Sequence, residues 1–546
     1  MTGGGGGIGG SIAEELGREG WFVVTVDPLV TLEGTEQLPE PEETTAGRIV
    51  AAGGSARASS ASVTDRQALE NLFHELVDEH GGLDAVVNVA GITRQSYFAR
   101  GTEEDWLALL SVHLGGYLNV LHAALPLMAA AGHGRILGIT SGSGWRAADA
   151  GGYSAAKRVV AALTWQLGRA APPGVTINAL SPIAGTRMVA AALERARQEG
   201  RTGGGGGLTL DSMPRPEDLG PLGAHVVSDE FGWCTGQVLF AGGPEVAVVD
   251  QPELVEVVRT ANAVSLGAVL DAVIPRAFVP AEAEQATQGG SNPRFGAIFD
   301  APAPSGVPSG RVRSCAVVGD RARLVASVTT SLEARSISCH PVEAGRDFAG
   351  AGKSLRSVVD RAGPLDAVVV ALSGHQRSGA SPEGWQGILS DHDGIVEHLH
   401  ADAGWTRAAA DYAAGHARSV QIVTLTDATT PAGRSRAQAS AQLARVAGSA
   451  TAGRVAAFAI GTEASEHDTG GAAAELVAHL LTHPDATALA GAELVVGAGW
   501  IGLRSHPRPI GTVTYGGPGI PEWLDTTLRE VVGGASPRNA WRPNAQ

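Results

Sequence analysis

Hydrophobic and polar positions divide the first 250 residues into alternating elements of two periods. Ile8, Ile12 and Leu16 recur every four residues, which predicts an amphipathic helix closing near Gly17 and Gly20. The apolar run 21–26 predicts a short strand ending at Asp27, and residues 29–50 read as a polar loop bearing Pro and Glu. Thr64 and Gln67 are spaced as a capping box for a helix through Val77. Residues 83–89 read as a strand, and 106–128 as a long helix with Leu110, Leu114, Leu118 and Leu121 along one side. Further apolar strands are predicted at 135–140, 175–180 and 237–241, the last of this half. Strands alternating with helices imply parallel βα units, and so an α/β fold with a doubly wound parallel sheet.

The pattern then recurs. Residues 252–274 predict one or two helices, and 276–310, with NP, PAPSG and VPSG, an interdomain linker. LDAVVVALS at 365–373 echoes LDAVVNVAG at 83–91, and the run from Trp385 to His392 echoes that from Trp106 to His113. Residues 491–500 echo 235–243 as a terminal strand and turn. A repeat of this length points to a duplicated domain, not a solenoid. The expected organisation is two tandem Rossmann-like domains, 1–250 and 311–505, joined by 251–310. A C-terminal extension, 506–546, adds a helix at 521–532 and then frays.

Composition narrows the function classes. A net charge of −16 over 546 residues disfavours a nucleic-acid backbone or an anionic membrane surface as partner. The three cysteines, Cys234, Cys315 and Cys339, lie far apart without a CxxC, which fits a reducing compartment and offers no zinc framework. Without an 18-residue apolar run or a basic leader, the expected location is the cytoplasm.

Candidate chemistry centres on residues 141–157. Tyr153 and Lys157 are four apart, one turn on the same helix face, and Lys157 is one of only two lysines in the chain. An ammonium near a phenol favours phenolate, so the tyrosine pKa is expected below its usual ~10. Ser141, or its rival Ser143, stands ready to hold a substrate oxygen while Tyr153 moves the proton. Upstream, Gly3, Gly7 and Gly9 form a TGxxxGxG loop whose bare backbone can approach a diphosphate at a helix N-terminus. Asp27 at the following strand end can accept ribose hydroxyls and repels a 2′-phosphate, which prefers NAD over NADP; its other reading is a turn residue before Pro28. A dinucleotide fold also calls for a buried strand before the glycine loop, and the expectation is that an upstream segment supplies it.

TGGGGGIG, NVAG at 88–91, Ser141 and YSAAK at 153–157 resemble, in order and spacing across 1–250, the short-chain dehydrogenase/reductase family. The resemblance implies a dinucleotide site made by Gly3, Gly7, Ile8, Gly9, Asp27, Asn88, Ala90, Gly91, Tyr153, Lys157 and Thr186. It further implies that Ser141 orients substrate, Tyr153 is the acid/base, and Lys157 holds the nicotinamide ribose and lowers the tyrosine pKa. GITRQSYFARGTEEDW, SVHLGG and VGAGWIGLR are similar to the (3R)-hydroxyacyl-CoA dehydrogenase branch found in peroxisomal multifunctional enzymes of type 2. That branch shares His113, where many members carry a catalytic Asn. Ile183 departs from the usual Gly after Pro182, and Ser62-Val63 lacks the Asp that often contacts adenine. The implied reaction is NAD-dependent interconversion of a secondary alcohol and a ketone, first of all on a 3-hydroxyacyl-CoA-type or bulky hydroxy substrate. A ketoreductase of another carbonyl substrate, or a non-catalytic nucleotide-binding scaffold, is the alternative.

The second copy lacks this chemistry: residues 318–324, VGDRARL, replace the glycine loop, and 437–441 replace YxxxK. Its expected role is to take a partner's place in an internal pseudo-dimer through the helix 385–413, with homodimerisation of whole chains beyond that. His392, His398 and His400 suit solvated or helix-packed positions better than a metal site, and no metal is expected.

Overall fold

The computed structural model describes residues 1–147, 149–198, 213–259, 270, 312–374, 384–517 and 519–535. The first half carries the helices α1 (Gly7–Arg18), α2 (Thr45–Ala51), α3 (Arg66–His80), α4 (Glu103–Leu110), α5 (Gly116–Ala131), α6 (Gly151–Ala170), α7 (Arg187–Gln198) and α8 (Gly220–Val226). Between them run β1 (Phe22–Val26), β2 (Ser55–Ser59), β3 (Ala85–Asn88), β4 (Gly134–Ile139), β5 (Val175–Pro182) and β6 (Val238–Gly242). β6 is not the last strand, because Gly243, at a φ of 60°, lets the chain reverse into β7 (Glu245–Asp250).

β3 to β6 pair in parallel in chain order. β4 is buried throughout, as a strand covered by helices on both faces must be. β1 and β2 pair only with each other, and Met1–Gly3 joins them to β3: Thr2 bridges both Val26 and Asn88. Below that bridge, a cavity of about 130 Å³ lies between β1 and β3, lined by Phe22, Val24, Leu72, Leu76 and Val86. Asp65, not Thr64, caps α3, accepting the Ala68 amide at 3.0 Å.

The remaining elements are β8 (Leu254–Arg259), β9 (Ser314–Gly319), α9 (Ala322–Glu333), β10 (Ser338–Val342), α10 (Phe348–Ala362), β11 (Ala367–Ala371), α11 (Gly384–Asp391), α12 (Ile395–Gly415), β12 (Val420–Asp427), α13 (Pro431–Ala450), β13 (Val455–Thr462), α14 (Glu466–Thr482), β14 (Glu493–Gly497) and β15 (Trp500–Arg504), closing with β16 (Arg508–Thr514) and α15 (Leu524–Ala535). Eight strands form the second sheet in the order β10-β9-β11-β12-β13-β14-β15-β8. The predicted helix at 252–274 is corrected at its start: alternation in LVEVVR favours the strand β8, which pairs antiparallel with β15. The predicted linker, 276–310, lies outside the described residues.

The chain exchanges strands between the halves. β8 leaves the first half to edge the second sheet, and β16 returns to pair with β7 on the first. β16 and α15 are therefore part of the first half's body, correcting their reading as an appended extension. α15 docks there through Asp525, 2.8 Å from His225 Nε2, and Arg529, whose guanidinium lies 4.4 Å from the centre of the Trp233 ring.

Between the sheets, α4 to α6 pack against α11 to α13. A single apolar cluster runs through both, from Trp106, Leu114 and Leu163 to Leu399, Trp405 and Val446. The stretch Glu103–Ala131 is long and apolar enough to cross a membrane by length and composition, but most of it is buried here. Inside this layer Arg158, wholly buried, pairs with Glu493 at 2.9 Å, and Gln166 donates to Ser435 at 2.9 Å.

Candidate active site

β4 ends at Ile139, which places Ser141 at the C-terminal edge of the parallel sheet, where open α/β sheets bind ligands. α6 then brings Tyr153 and Lys157 to that edge on one face. Ser141 neighbours the Tyr153 phenol and favours its ionised form. Ser141 Oγ also accepts the Ser143 amide at 3.3 Å and reaches Ser143 Oγ at 3.5 Å.

Lys157 is buried, donates from Nζ to Ile139 O at 2.7 Å, and lies 5.6 Å from the centre of the Tyr153 ring. Burial pulls its ammonium down to about 7. Burial also pushes the Tyr153 phenol above its ordinary value of 10, against the opposing pull of Ser141. The expected lowering of the tyrosine pKa is therefore overturned. Desolvation of both groups outweighs a charge that sits over the ring and is anchored to a backbone carbonyl.

His113 lies in a π-turn, Ser111–Gly115, between α4 and α5. Its ring meets Tyr153 edge-on at 4.8 Å, and its Nε2 lies 2.8 Å from Ile92 O and 3.3 Å from Ile92 N. Burial, with the Lys157 charge adding, lowers its pKa to about 3, so the imidazole is neutral. Its Nδ1 is buried without a hydrogen-bond partner. A Cβ on Gly91 would sit 2.4 Å from His113 Cε1, so the glycine is what admits the ring.

The glycine loop has a tight floor and an open top. A Cβ on Gly9 would lie 2.2 Å from Gly3 O, and one on Gly3 2.7 Å from the Ala90 amide nitrogen. A Cβ on Gly7 would meet nothing within 4 Å, and one on Gly6 only Arg187 Nη2, at 3.8 Å. No side chain caps α1, so its first amides face that opening. This cradle fits the diphosphate of a dinucleotide. Asp27 stands beside it, accepting the Gly5 amide at 3.2 Å and the Leu29 amide at 2.9 Å, with lone pairs left for ribose hydroxyls. Buried Asn88 accepts from Thr2 Oγ1 at 2.6 Å, tying β3 to the loop, while Ile8 and Ala90 are half-buried around it. Thr186 caps α7 by accepting the Val189 amide at 3.3 Å. Arg187 was not foreseen; its signal was a basic residue directly after Thr186.

Known proteins carry the same pattern. The short chain dehydrogenase family model matches residues 1–197. The short-chain reductase protein NovJ of Streptomyces niveus is 32% identical over 248 residues, 44% of this chain and 91% of that one. The chain belongs to the short chain dehydrogenase family. An acetoacetyl-CoA reductase of Allochromatium vinosum is 31% identical over 246 residues, covering 44% of this short-chain dehydrogenase and 96% of the relative. Among solved structures, the N-domain with NADP of a bacterial malonyl-CoA reductase covers 88% of this chain and 94% of its own, with a TM-score of 0.63 at 15% identity, a likeness of fold.

The turn after β9, at 319–321, is filled. Asp320 accepts the Ser373 amide at 2.7 Å, and Arg321 pairs with Glu466 at 2.6 Å. A Cβ on Gly319 would lie 2.5 Å from Ala371 O. His392 is buried 2.9 Å from Ser435 Oγ and His400 stacks on Phe348, while His398 lies on the intervening turn of α12. No cluster of metal-binding side chains occurs among the described residues.

Proposed function

We propose that this chain is an NAD-dependent carbonyl reductase that interconverts a 3-oxoacyl and a 3-hydroxyacyl thioester through Ser141, Tyr153 and Lys157. The observation that carries this reading is the buried Lys157, hydrogen-bonded to Ile139 O and 5.6 Å from the Tyr153 ring, at the sheet edge that also bears Ser141. Bound dinucleotide supplies or accepts the hydride. Ser141 orients the substrate oxygen. Because burial holds Tyr153 protonated at neutral pH, the phenol gives its proton to the oxygen as the ketone becomes an alcohol. Lys157, anchored on Ile139 O, steadies the developing phenolate, and His113 sets the tyrosine ring from its edge. Asp27 supports NAD over NADP, since a 2′-phosphate would meet its carboxylate. The thioester class rests on relatives named acetoacetyl-CoA reductase and 3-oxoacyl-[acyl-carrier-protein] reductase. In this reading the second half is a duplicated, non-catalytic copy that holds a partner's place against α4 to α6.

The test follows nicotinamide absorbance with acetoacetyl-CoA, longer 3-oxoacyl-CoAs and their (3R)-alcohols. Reduction is expected to fall between pH 6 and 8 as the Lys157 ammonium, at about 7, gives up its proton, and oxidation to climb with pH as the phenolate forms. Tyr153→Phe should remove more than ~100-fold of either rate. Full activity in that variant, or oxidation fastest at pH 6, would sink the mechanism.

A further inference from the structure

The loop that carries Ser141 is held from the other half of the molecule. Gln442, on α13, is completely buried, and its Nε2 donates both to Ser143 O at 3.1 Å and to Arg146 O at 2.7 Å. From the next turn of α13, Arg445 Nη1 donates to Trp145 O. Three carbonyls of the short segment after Ser141 are thus gripped by two side chains more than 290 positions away in sequence. On its other side the segment is pressed against α6, where a Cβ on Gly144 would lie 2.9 Å from the Arg158 amide nitrogen.

The grip reaches the reacting groups by one short path. Gln442 holds the Ser143 carbonyl, the Ser143 amide and hydroxyl meet Ser141 Oγ, and Ser141 neighbours the Tyr153 phenol. The segment itself has two glycines, Gly142 and Gly144, and only one turn of 3₁₀-helix, Gly142–Gly144, so its own backbone does little to fix it. We infer that Gln442 is a positioning residue: the second half completes the catalytic loop of the first by clamping its carbonyls, and so sets where the Ser141 hydroxyl stands. Neither the glycine loop nor the serine–tyrosine–lysine pattern points to Gln442, because its partners are backbone atoms. The inference rests on the proposed reduction only for its kinetic arm.

Gln442→Met keeps the length of the side chain and removes both donors. In the full chain, hydrogen exchange at amides 142–147 should quicken at least tenfold, while β4 and α6 exchange as before. With acetoacetyl-CoA, kcat should fall ~10- to 100-fold and the dissociation constant for the dinucleotide should not change. Ser141→Ala added to Gln442→Met should cost much less than Ser141→Ala alone costs wild type, because both act on the same hydroxyl. Unchanged exchange at 142–147, or penalties that multiply in full, would overturn the inference. Wild type without turnover on any substrate would overturn the proposed function alone, since the exchange result stands without it.

Discussion

Individual side chains in this site are governed by desolvation more than by neighbouring charge. Tyr153 rises, Lys157 falls to about 7 and His113 falls to about 3, each chiefly through burial. The i, i+4 spacing was legible in the sequence, and it did place Tyr153 and Lys157 together. The sense of the tyrosine shift was not legible, because it depends on how far the site is closed off from water, which no spacing encodes. The same burial acts on stability. His113 and His392 are held neutral, at about 3 and about 4, below their ordinary 6.5. Their contribution is fully present above pH 6.5 and is lost as pH falls through 6.5 toward those values. Each group then costs about 1.4 kcal/mol per pH unit. Urea unfolding of His392→Gln should show a shallower loss between pH 6.5 and 4.5 than wild type. Parallel slopes would mean that the ring is not kept neutral.

At the scale of elements, the sites are made by where helices and turns stop. Strands β1, β3, β4 and β5 fell where apolar runs predicted them, because each is buried enough to force a continuous hydrophobic stretch. β6 also fell at its predicted 237–241, but β7 and β8 did not, since Gly243 and a six-residue alternation are weak signals beside a helix prediction. The π-turn Ser111–Gly115 is likewise invisible in a leucine periodicity that runs straight through it. That turn aims His113 at Ile92 and Tyr153, and Gly91 leaves it room. Gly91→Ala should therefore push the ring out of its edge contact, lowering kcat ~10-fold or more. Steady-state kinetics will show it; a variant with wild-type kcat would mean that His113 does not position Tyr153.

Over the whole molecule, the halves cannot be separated along a chain boundary. β8 and β16 each complete the other half's sheet, the apolar cluster of α4 to α6 continues into α12 and α13, and Gln442 grips the catalytic loop. Strand exchange and buried cross-contacts join residues hundreds of positions apart and leave no local trace in the sequence. The most exacting of these contacts is Arg158 with Glu493, both buried, at 2.9 Å. Burial lowers the guanidinium only to about 10, so it stays charged at neutral pH. Removing its partner leaves that charge in the core, one residue from Lys157. Glu493→Gln should cost about 3–5 kcal/mol, far above the ~1 kcal/mol of an exposed pair. The double change Arg158→Met with Glu493→Leu removes both charges and should recover most of the loss. Because the pair joins β14 to α6, the single variant should unfold both halves in one transition at lower urea. Two separate transitions, or a cost near 1 kcal/mol, would show that the halves are stabilised independently and that this pair does not bind them.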